Sequence, residues 1–416
     1  MKKLLTSVAV LAAGAAVAPS APAQDKPWSV SGTLRGFYDD NYTTAAKTAP
    51  GGKLSSFGFE VSPSVSYRLR LDPTEITAGY TYGMRYFEDR AKRNTSSADH
   101  SHDVSLKLVH QFPERYRLEI SDNFMVAQEQ SVLATVGGVT TAVRSNGNNM
   151  RNLANAMFSG EFSPIFGYDL TYSNTFYDYQ STGVNSFSSL LDRVEHLGGG
   201  NLRWNATQNT TALVGYRYGI VDMSSSENIF NPAAAGGLAP ASSRDNTSHY
   251  GFLGVDHMFT RQLKGSGRLG MQHVEYGKAI GGRASTTSPY ADFSASWEYL
   301  SGSAVALGVK HARNATDVSF GTLDAESTSV YGQWSHKLTP RLLASLTGQY
   351  QMSSFNRGVN DNRKENLLLA GVNLSYELIK NRLTAEGGYN FDRIDSDLVN
   401  RSFSRNRIYL GLRASY

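Results

Sequence analysis

Arg405-Asn406-Arg407-Ile408-Tyr409-Leu410-Gly411-Leu412-Arg413-Ala414-Ser415-Tyr416 is the stretch whose reading decides the fold. Ile408, Leu410, Leu412, Ala414 and Tyr416 fall on every second position and are apolar or aromatic. Arg405, Arg407, Tyr409, Gly411, Arg413 and Ser415 alternate with them and are cationic, polar or small. A repeat of two is the signature of a β-strand, whose successive side chains point to opposite faces. This strand therefore has one oily face and one wet face. Two architectures accommodate it: a soluble β-sandwich with the oily face turned to a core, or a barrel wall with that face turned to lipid.

The same alternation recurs upstream. Trp28, Val30, Leu34 and Tyr38 oppose Ser29, Ser31, Thr33, Arg35 and Phe37. Phe57, Phe59, Val61, Val65, Tyr67 and Leu69 oppose Gly58, Glu60, Ser62, Ser64, Ser66, Arg68 and Arg70. Pro63 interrupts the second run, and a proline there costs a ladder bond and predicts a bulge. A turn at Asp72-Pro73-Thr74 leads into Ile76, Ala78, Tyr80, Tyr82, Met84 and Tyr86. Beyond this, short turns near 72–75, 113–115, 163–166, 205–210, 260–262, 300–302, 339–341 and 379–381 alternate with long polar loops. Those loops fall near 39–55, 89–101, 129–151, 180–193, 222–247, 277–288, 314–326, 353–365 and 393–404. The spacing predicts an all-β fold, a transmembrane antiparallel up-and-down β-barrel. It has about eighteen strands (sixteen to twenty) of roughly ten residues, the length that crosses a bilayer at a tilt. Sandwiches do not keep so strict an alternation of short and long connections.

Composition narrows the classes further. The chain has 416 residues and no cysteine, so neither a disulfide framework nor a thiolate metal site is available. Lys2 and Lys3, the apolar run Leu4 to Ala18 and the small residues Ala21-Pro22-Ala23 read as a Sec-type signal peptide over 1–23. Residues 24–416 then form a single barrel domain. Removing Lys2 and Lys3 lowers the formal net charge from +4 to +2, with 38 basic against 36 acidic residues. No basic stripe stands out, which argues against nucleic acid as a partner. No later stretch is apolar over the ~20 residues that a spanning helix needs.

Aromatic residues fall where two interfacial belts need them. Phe112, Tyr116, Tyr168, Trp204, Phe259, Trp297, Trp334, Tyr376 and Tyr416 lie on the oily register beside the short turns. Tyr38, Tyr86, Phe124, Phe176, Tyr218, Tyr350 and Phe391 lie on it near the long loops. Rings at both headgroup levels with aliphatic residues between are expected of a girdled barrel. Asp122 and Asn174 break the pattern, which predicts either a bulge or a protomer contact on that wall. An internal echo also stands out: His102-x7-His110-x-Phe112 recurs as His249-x7-His257-x-Phe259, and Ala78 to Gly83 recurs as Val214 to Gly219.

The wet register carries the charge. Arg35, Glu60, Arg68, Arg70, Arg85, Arg117, Glu119, Arg203, Arg217, Arg268, Glu298, Arg407 and Arg413 are the candidate pore-lining residues; Lys107, Asp169, Lys310, Glu326 and Glu386 share their register. So many charges would be costly in a dry core but not in a wetted lumen, and their rings would set its field. Loops 129–151 and 222–247, flexible and little charged, are candidates for folding inward as a constriction or for remaining as external loops. No catalytic residue is assigned. His-Asp neighbours such as His102-Asp103 and Asp256-His257 point to opposite faces of their strands, and no Gly-x-Ser-x-Gly elbow occurs. The histidines are not clustered as metal ligands, so neither a metal site nor another cofactor is expected.

Tyr38-Asp39-Asp40-Asn41, Ser62-Pro63-Ser64-Val65-Ser66-Tyr67 and Arg85-Tyr86 resemble the outer-membrane porin family called beta-barrel porin 2, most clearly over about 28–130. Tyr42 stands where that family has an aliphatic residue. The final strand, ending on Tyr416, is likewise similar to the closing strand of bacterial outer-membrane barrels, which their assembly machinery reads. The resemblance implies a barrel in the outer membrane of a Gram-negative bacterium, contacting its lipids, with an oligomer possible. The resulting expectation is a passive, porin-like channel for small hydrophilic solutes. The alternatives are a port for exopolysaccharide export, with Phe37, Phe87, Tyr177 and Tyr409 guiding sugars, and a structural or adhesive barrel without channel activity.

Overall fold

A computed structural model describes residues 26–46, 51–93, 95–129 and 146–416. The strands are β1 Trp28–Asp39, β2 Ser56–Leu71, β3 Thr74–Phe87, β4 Ala98–Gln111, β5 Arg117–Glu129, β6 Asn146–Glu161, β7 Phe166–Tyr179, β8 Arg193–Asn205 and β9 Thr210–Met223. A small hairpin follows, β10 Asn228–Phe230 with β11 Leu238–Pro240. Then come β12 Asn246–Met258, β13 Leu263–Tyr276, β14 Ala284–Leu300, β15 Ser303–Asn314, β16 Asp324–Thr339, β17 Leu342–Asn356, β18 Lys364–Ile379, β19 Leu383–Ser396 and β20 Phe403–Ser415. Two short helices, α1 Glu88–Lys92 and α2 Phe187–Leu191, sit in long loops.

Eighteen of these strands form one antiparallel sheet in chain order, β9 pairing with β12 across the small hairpin. β20 pairs with β1, Leu412 opposite Leu34 and Tyr409 opposite Phe37, so the sheet closes on itself. A wall facing lipid must satisfy its backbone internally, and closure removes the two edges that could not. The strands run from 12 to 17 residues, longer than the expected ten. Pairing continues past the length that spans hydrocarbon, into a rim where the long loops pack.

The outer register exposes Leu34 (57%), Leu253 (68%), Leu269 (60%) and Leu410 (73%), as apolar staves facing lipid should be. Arginine in place of Leu410 is expected to destabilise the barrel by about 2–4 kcal/mol, the cost of a lipid-facing cation near mid-membrane. Urea unfolding in lipid vesicles reads this, with Leu410→Ala as the milder reference. An arginine variant equal to the alanine one would show that this face does not meet lipid.

Pro63 makes no bulge. β1 and β2 pair straight through it, Pro63 opposite Gly32. Against β3 the ladder lapses at Ser62 and Pro63 and resumes in the same register at Ser64 opposite Thr81. The missing N–H removes a bond without inserting a residue.

All nine histidines lie on the outer register, several hydrogen-bonded to a hydroxyl on a neighbouring strand. These contacts explain the internal echo. Tyr80 Oη meets His102 Nδ1 at 2.9 Å in β3–β4, and Tyr216 Oη meets His249 Nδ1 at 2.7 Å in β9–β12. Lower on the same hairpins Thr74 meets His110 (2.7 Å) and Thr210 meets His257 (2.8 Å), each imidazole edge-on to the following phenylalanine. One hairpin design thus serves two walls, pairing each polar ring tip so that its apolar body can face lipid.

Candidate pore lining and its loop roof

Asp122 and Asn174 remain on the outer register: the β4–β5, β5–β6 and β6–β7 ladders pass them without a shift, which removes the bulge explanation. Asn152 Nδ2 donates to Asp122 Oδ1 at 2.9 Å, and Asn174 Nδ2 lies 3.2 Å from His196 Nδ1, which also meets Tyr172 Oη. A polar seam therefore crosses the outside of β5–β8.

The inner register is laced with ion pairs between strands. Arg35 Nε donates to Glu386 Oε1 at 2.6 Å and its Nη1 to Glu60 Oε1 at 3.2 Å; Arg85 Nε reaches Glu60 Oε2 at 3.3 Å. Glu119 takes Lys107 (2.6 Å) and Arg117 (2.7 Å), while Asp169 takes Arg203 (3.2 Å). Asp256 takes Arg268 (2.8 Å), and Asp392 takes Arg407 (2.7 Å). Arg68 pairs with Glu75 at the short-turn end, where Arg70 lies 4.0 Å from the same carboxylate and both arginines are more than half exposed. Glu298 is exposed near the β14–β15 turn, and Arg413 sits opposite Thr33 and Thr384. The candidate pore residues thus share one face of the closed sheet, mostly in opposite-charge pairs that the sequence does not specify. Glu326 is the exception among their register mates. Its position matches that of outward Thr328, and it meets His311 Nε2 at 2.9 Å and Arg313 Nη2 at 2.9 Å at the rim.

The long loops build a roof over part of the lumen. Loop 222–247 folds through the β10–β11 hairpin, and its Ile229 and Ala239, both essentially inaccessible, pack on Leu190, Leu191 and Tyr179. Burying these side chains holds the segment on the rim. Arg244 is 2% exposed; its Nη1 donates to Leu190 O at 3.2 Å and its Nη2 to Thr316 O, tying two neighbouring loops. Burial lowers its pKa to about 10. Arg401 grips Asp317 and Glu365 with forks at 2.8 and 3.1 Å each. A Cβ on Gly358, at φ +70°, would lie 2.3 Å from Phe320 O, so only glycine lets these loops approach so closely. In loop 129–151, residues 130–145 lie outside the described residues, as do residues 1–23, the segment read as a signal peptide.

Beside α2, Asp192 accepts from Tyr179 N (2.7 Å) and from Ser188 Oγ (2.5 Å). Burial outweighs both bonds and raises its pKa to about 6. The protonated form therefore suits the folded loop: its stabilisation is complete below the ordinary value of 3.8 and is lost as pH rises through about 6. Protease resistance of 180–192 should fall between pH 4 and 7, and Asp192→Asn should flatten that dependence. An unchanged slope in the asparagine variant would remove Asp192 as its cause.

Under the roof a cavity of about 400 Å³ is lined from β5 round to β16. Arg151, Arg193, Arg217, Arg244, Lys310 and Arg313 contribute cationic side chains to it; Glu195 and Asp324 contribute the carboxylates.

Residues 327–416, from within β16 to the C-terminus, match the family described as "Putative beta-barrel porin 2". The match covers the closing strands, from within β16 through β20. This is the family that the sequence resembles, and the match lies in the closing strands and not over residues 28–130, where the likeness is read. No curated protein matches the sequence. Among solved structures, the outer membrane protein opdK from Pseudomonas aeruginosa is similar at 12% identity and TM-score 0.47, over 94% of this chain and 99% of that one. A BenF-like porin from Pseudomonas fluorescens Pf-5 is similar at 11% identity and TM-score 0.46, over 94% and 99%. Pseudomonas aeruginosa OccK2 (OpdF), solved with glucuronate, gives 13% identity and TM-score 0.44, over 93% and 98%.

Of the aromatic candidates, Trp204, Phe259, Trp297 and Tyr416 expose about half or more of their surface, with Phe112, Tyr116 and Tyr376 nearly as open. Tyr116 and Tyr168 pack on Phe158, and Trp334 stacks on His336. Tyr42 is buried: its hydroxyl donates to Asp89 Oδ2 at 3.0 Å, and its ring packs on Phe87 under Arg90. Sequence reasoning missed the roof's anchors, Arg244, Arg401 and α2, because none stands in a periodic pattern.

Proposed function

We propose that this protein is a channel of the bacterial outer membrane through which small hydrophilic solutes diffuse passively. The observation that carries the reading is closure of the sheet by β20 on β1 with apolar side chains outside and paired charges inside. Buried ion pairs in a dry interior would each cost several kcal/mol in desolvation, whereas water in a barrel this wide supports them. On this reading the paired residues from Arg35 to Arg407 line the passage, the roof narrows it, and the outer rings sit at the headgroups. The short turns face the periplasm and the long loops the exterior. Residues 1–23 serve as the export signal of a Gram-negative cell, and the last strand is handed to the barrel-assembly machinery.

The reading is of a channel and not an enzyme. The outward register of all nine histidines leaves the lumen without an imidazole base, and its carboxylates are largely engaged by arginine or lysine. Phe87, one of the four rings considered as a sugar track, is fully buried between Phe37, Tyr42 and Arg90, which weakens the export alternative. The outer polar seam from Asp122 to His196 supports a second protomer against that wall, since a carboxylate there is unfavourable against lipid. Planar-bilayer recording of the purified full chain tests the channel: discrete conductance steps are expected, and an electrically silent inserted protein would overturn it.

A further inference from the structure

We infer that the chamber beneath the roof is a binding site for a small organic anion, a carboxylate carried on a ring-sized body. The inference deepens the channel reading and rests on it in one respect, that solutes reach the chamber. Elsewhere on the inner register, Arg35, Arg85, Arg117, Arg203, Arg268 and Arg407 each have a carboxylate partner. Arg413, at the short-turn end opposite Thr33 and Thr384, is an exception outside the chamber, whereas the chamber gathers several such cations in one place. Arg193 is matched by Glu195 at 2.5 Å and Arg313 by Asp324 at 2.8 Å, which uses both carboxylates in the lining. Arg151, Arg217 and Arg244 form no ion pair with any carboxylate among the described residues. Arg151 Nη2 points at Met125 Sδ, 3.3 Å away. Arg217 Nη1 donates a long bond of 3.4 Å to the neutral Tyr290 hydroxyl, and its guanidinium stands 4.9 Å over the Phe252 ring. Arg244 satisfies its η nitrogens on carbonyl oxygens, while its buried Nε has no partner.

Cationic groups concentrated in a partly enclosed space without matching carboxylates favour an anion that restores the balance. Guanidinium forks accept a carboxylate in two parallel bonds, which sets the preferred headgroup. The rest of the lining sets the body. Tyr177, Tyr179, Tyr250, Tyr276 and Tyr290 line the same cavity, the last three with hydroxyls already bonded to Gln272, Asp324 and Arg217, so the aromatic wall suits a flat or compact apolar group with one charged end. A metal cation is disfavoured by the same field.

Titration calorimetry on the full chain in micelles, with phenylacetate, its neutral isostere phenylacetamide and ring-less acetate, tests both parts. Phenylacetate is expected to bind at least about tenfold more tightly than either. Arg217→Gln is expected to lose about tenfold for phenylacetate and little for phenylacetamide, with Arg217→Lys recovering part of the loss. Equal affinity for phenylacetate and phenylacetamide would overturn the site, and equal affinity for acetate would overturn the ring-sized body. If Arg217→Gln fails to fold, shown by loss of the heat-shifted gel band, the ligand comparison in the native protein and the lysine variant decide. Bilayer recording separates the two readings: conductance steps without selective phenylacetate binding sink the site and leave the channel. Selective binding by a protein that never conducts sinks the channel and leaves the site.

Discussion

Replacing Arg401 by alanine is expected to unfasten the roof. Its guanidinium bridges Asp317, from the β15–β16 loop, and Glu365, at the start of β18, and both carboxylates are nearly inaccessible (8% and 7%). Those charges also push the Arg401 pKa above its ordinary value, so the group stays charged at any physiological pH. Removing it leaves two buried acids facing one another. Breaking one side of such a pair costs about 3–5 kcal/mol, more than a packed loop can absorb without moving. The variant should be cut by protease within 314–324 many times faster than the parent, and, on the proposed channel reading, its current in a planar bilayer should become larger or noisier. Arg401→Lys should fall between, since one ammonium cannot fork to both carboxylates. An alanine variant with parental protease resistance would show that the roof is held by its apolar contacts alone.

The second large effect belongs to the seam where the barrel closes. Arg405 on β20 donates from Nε to both Asp39 oxygens, at 3.0 and 2.9 Å, and from Nη2 to Oδ2 at 2.5 Å. Asp39 is 1% exposed and Arg405 4%. Arg405→Ala is expected to cost about 3–5 kcal/mol by stranding the Asp39 carboxylate between the first and last strands. Converting both partners, Asp39→Asn with Arg405→Met, should restore most of the loss because no uncompensated charge remains. Urea midpoints of the micellar protein give the comparison. A double variant as unstable as Arg405→Ala would mean that the pair contributes through geometry and not through charge balance.

What the sequence made legible follows from what is local. Alternation in stretches such as Ile408 to Tyr416 is written by the pleat, so strands, their faces and the eighteen-strand count could be read directly. Glu326 was open to the same reading: its spacing from Val330 and Trp334 puts it outside with them, and only its charge suggested the lumen. Partners were less legible. That Glu386 pairs with Arg35, some 350 residues away, depends on closure and on the relative stagger of β1, β19 and β20, which no single strand encodes. The roof was least visible. Its Ala-, Gly- and Ser-rich segment 222–247 looks like a featureless loop, yet small residues are what allow Ile229 and Ala239 to be buried and the loops to meet. Pro63 shows the converse, a strong local signal that neighbouring pairs override without a change of register.

The central claim is a cylinder oily without and watered within, and the chain's lack of cysteine allows one direct measurement of it. Single cysteines placed in turn at positions 407 to 413 other than 411, in protein reconstituted into lipid vesicles, would be challenged with a charged, water-soluble thiol reagent. The account predicts labelling at 407, 409 and 413 and protection at 408, 410 and 412; Gly411 is left as it is, because a Cβ there would lie 2.4 Å from Leu34 O. Labelling without that alternation, or with the two sets exchanged, would contradict it.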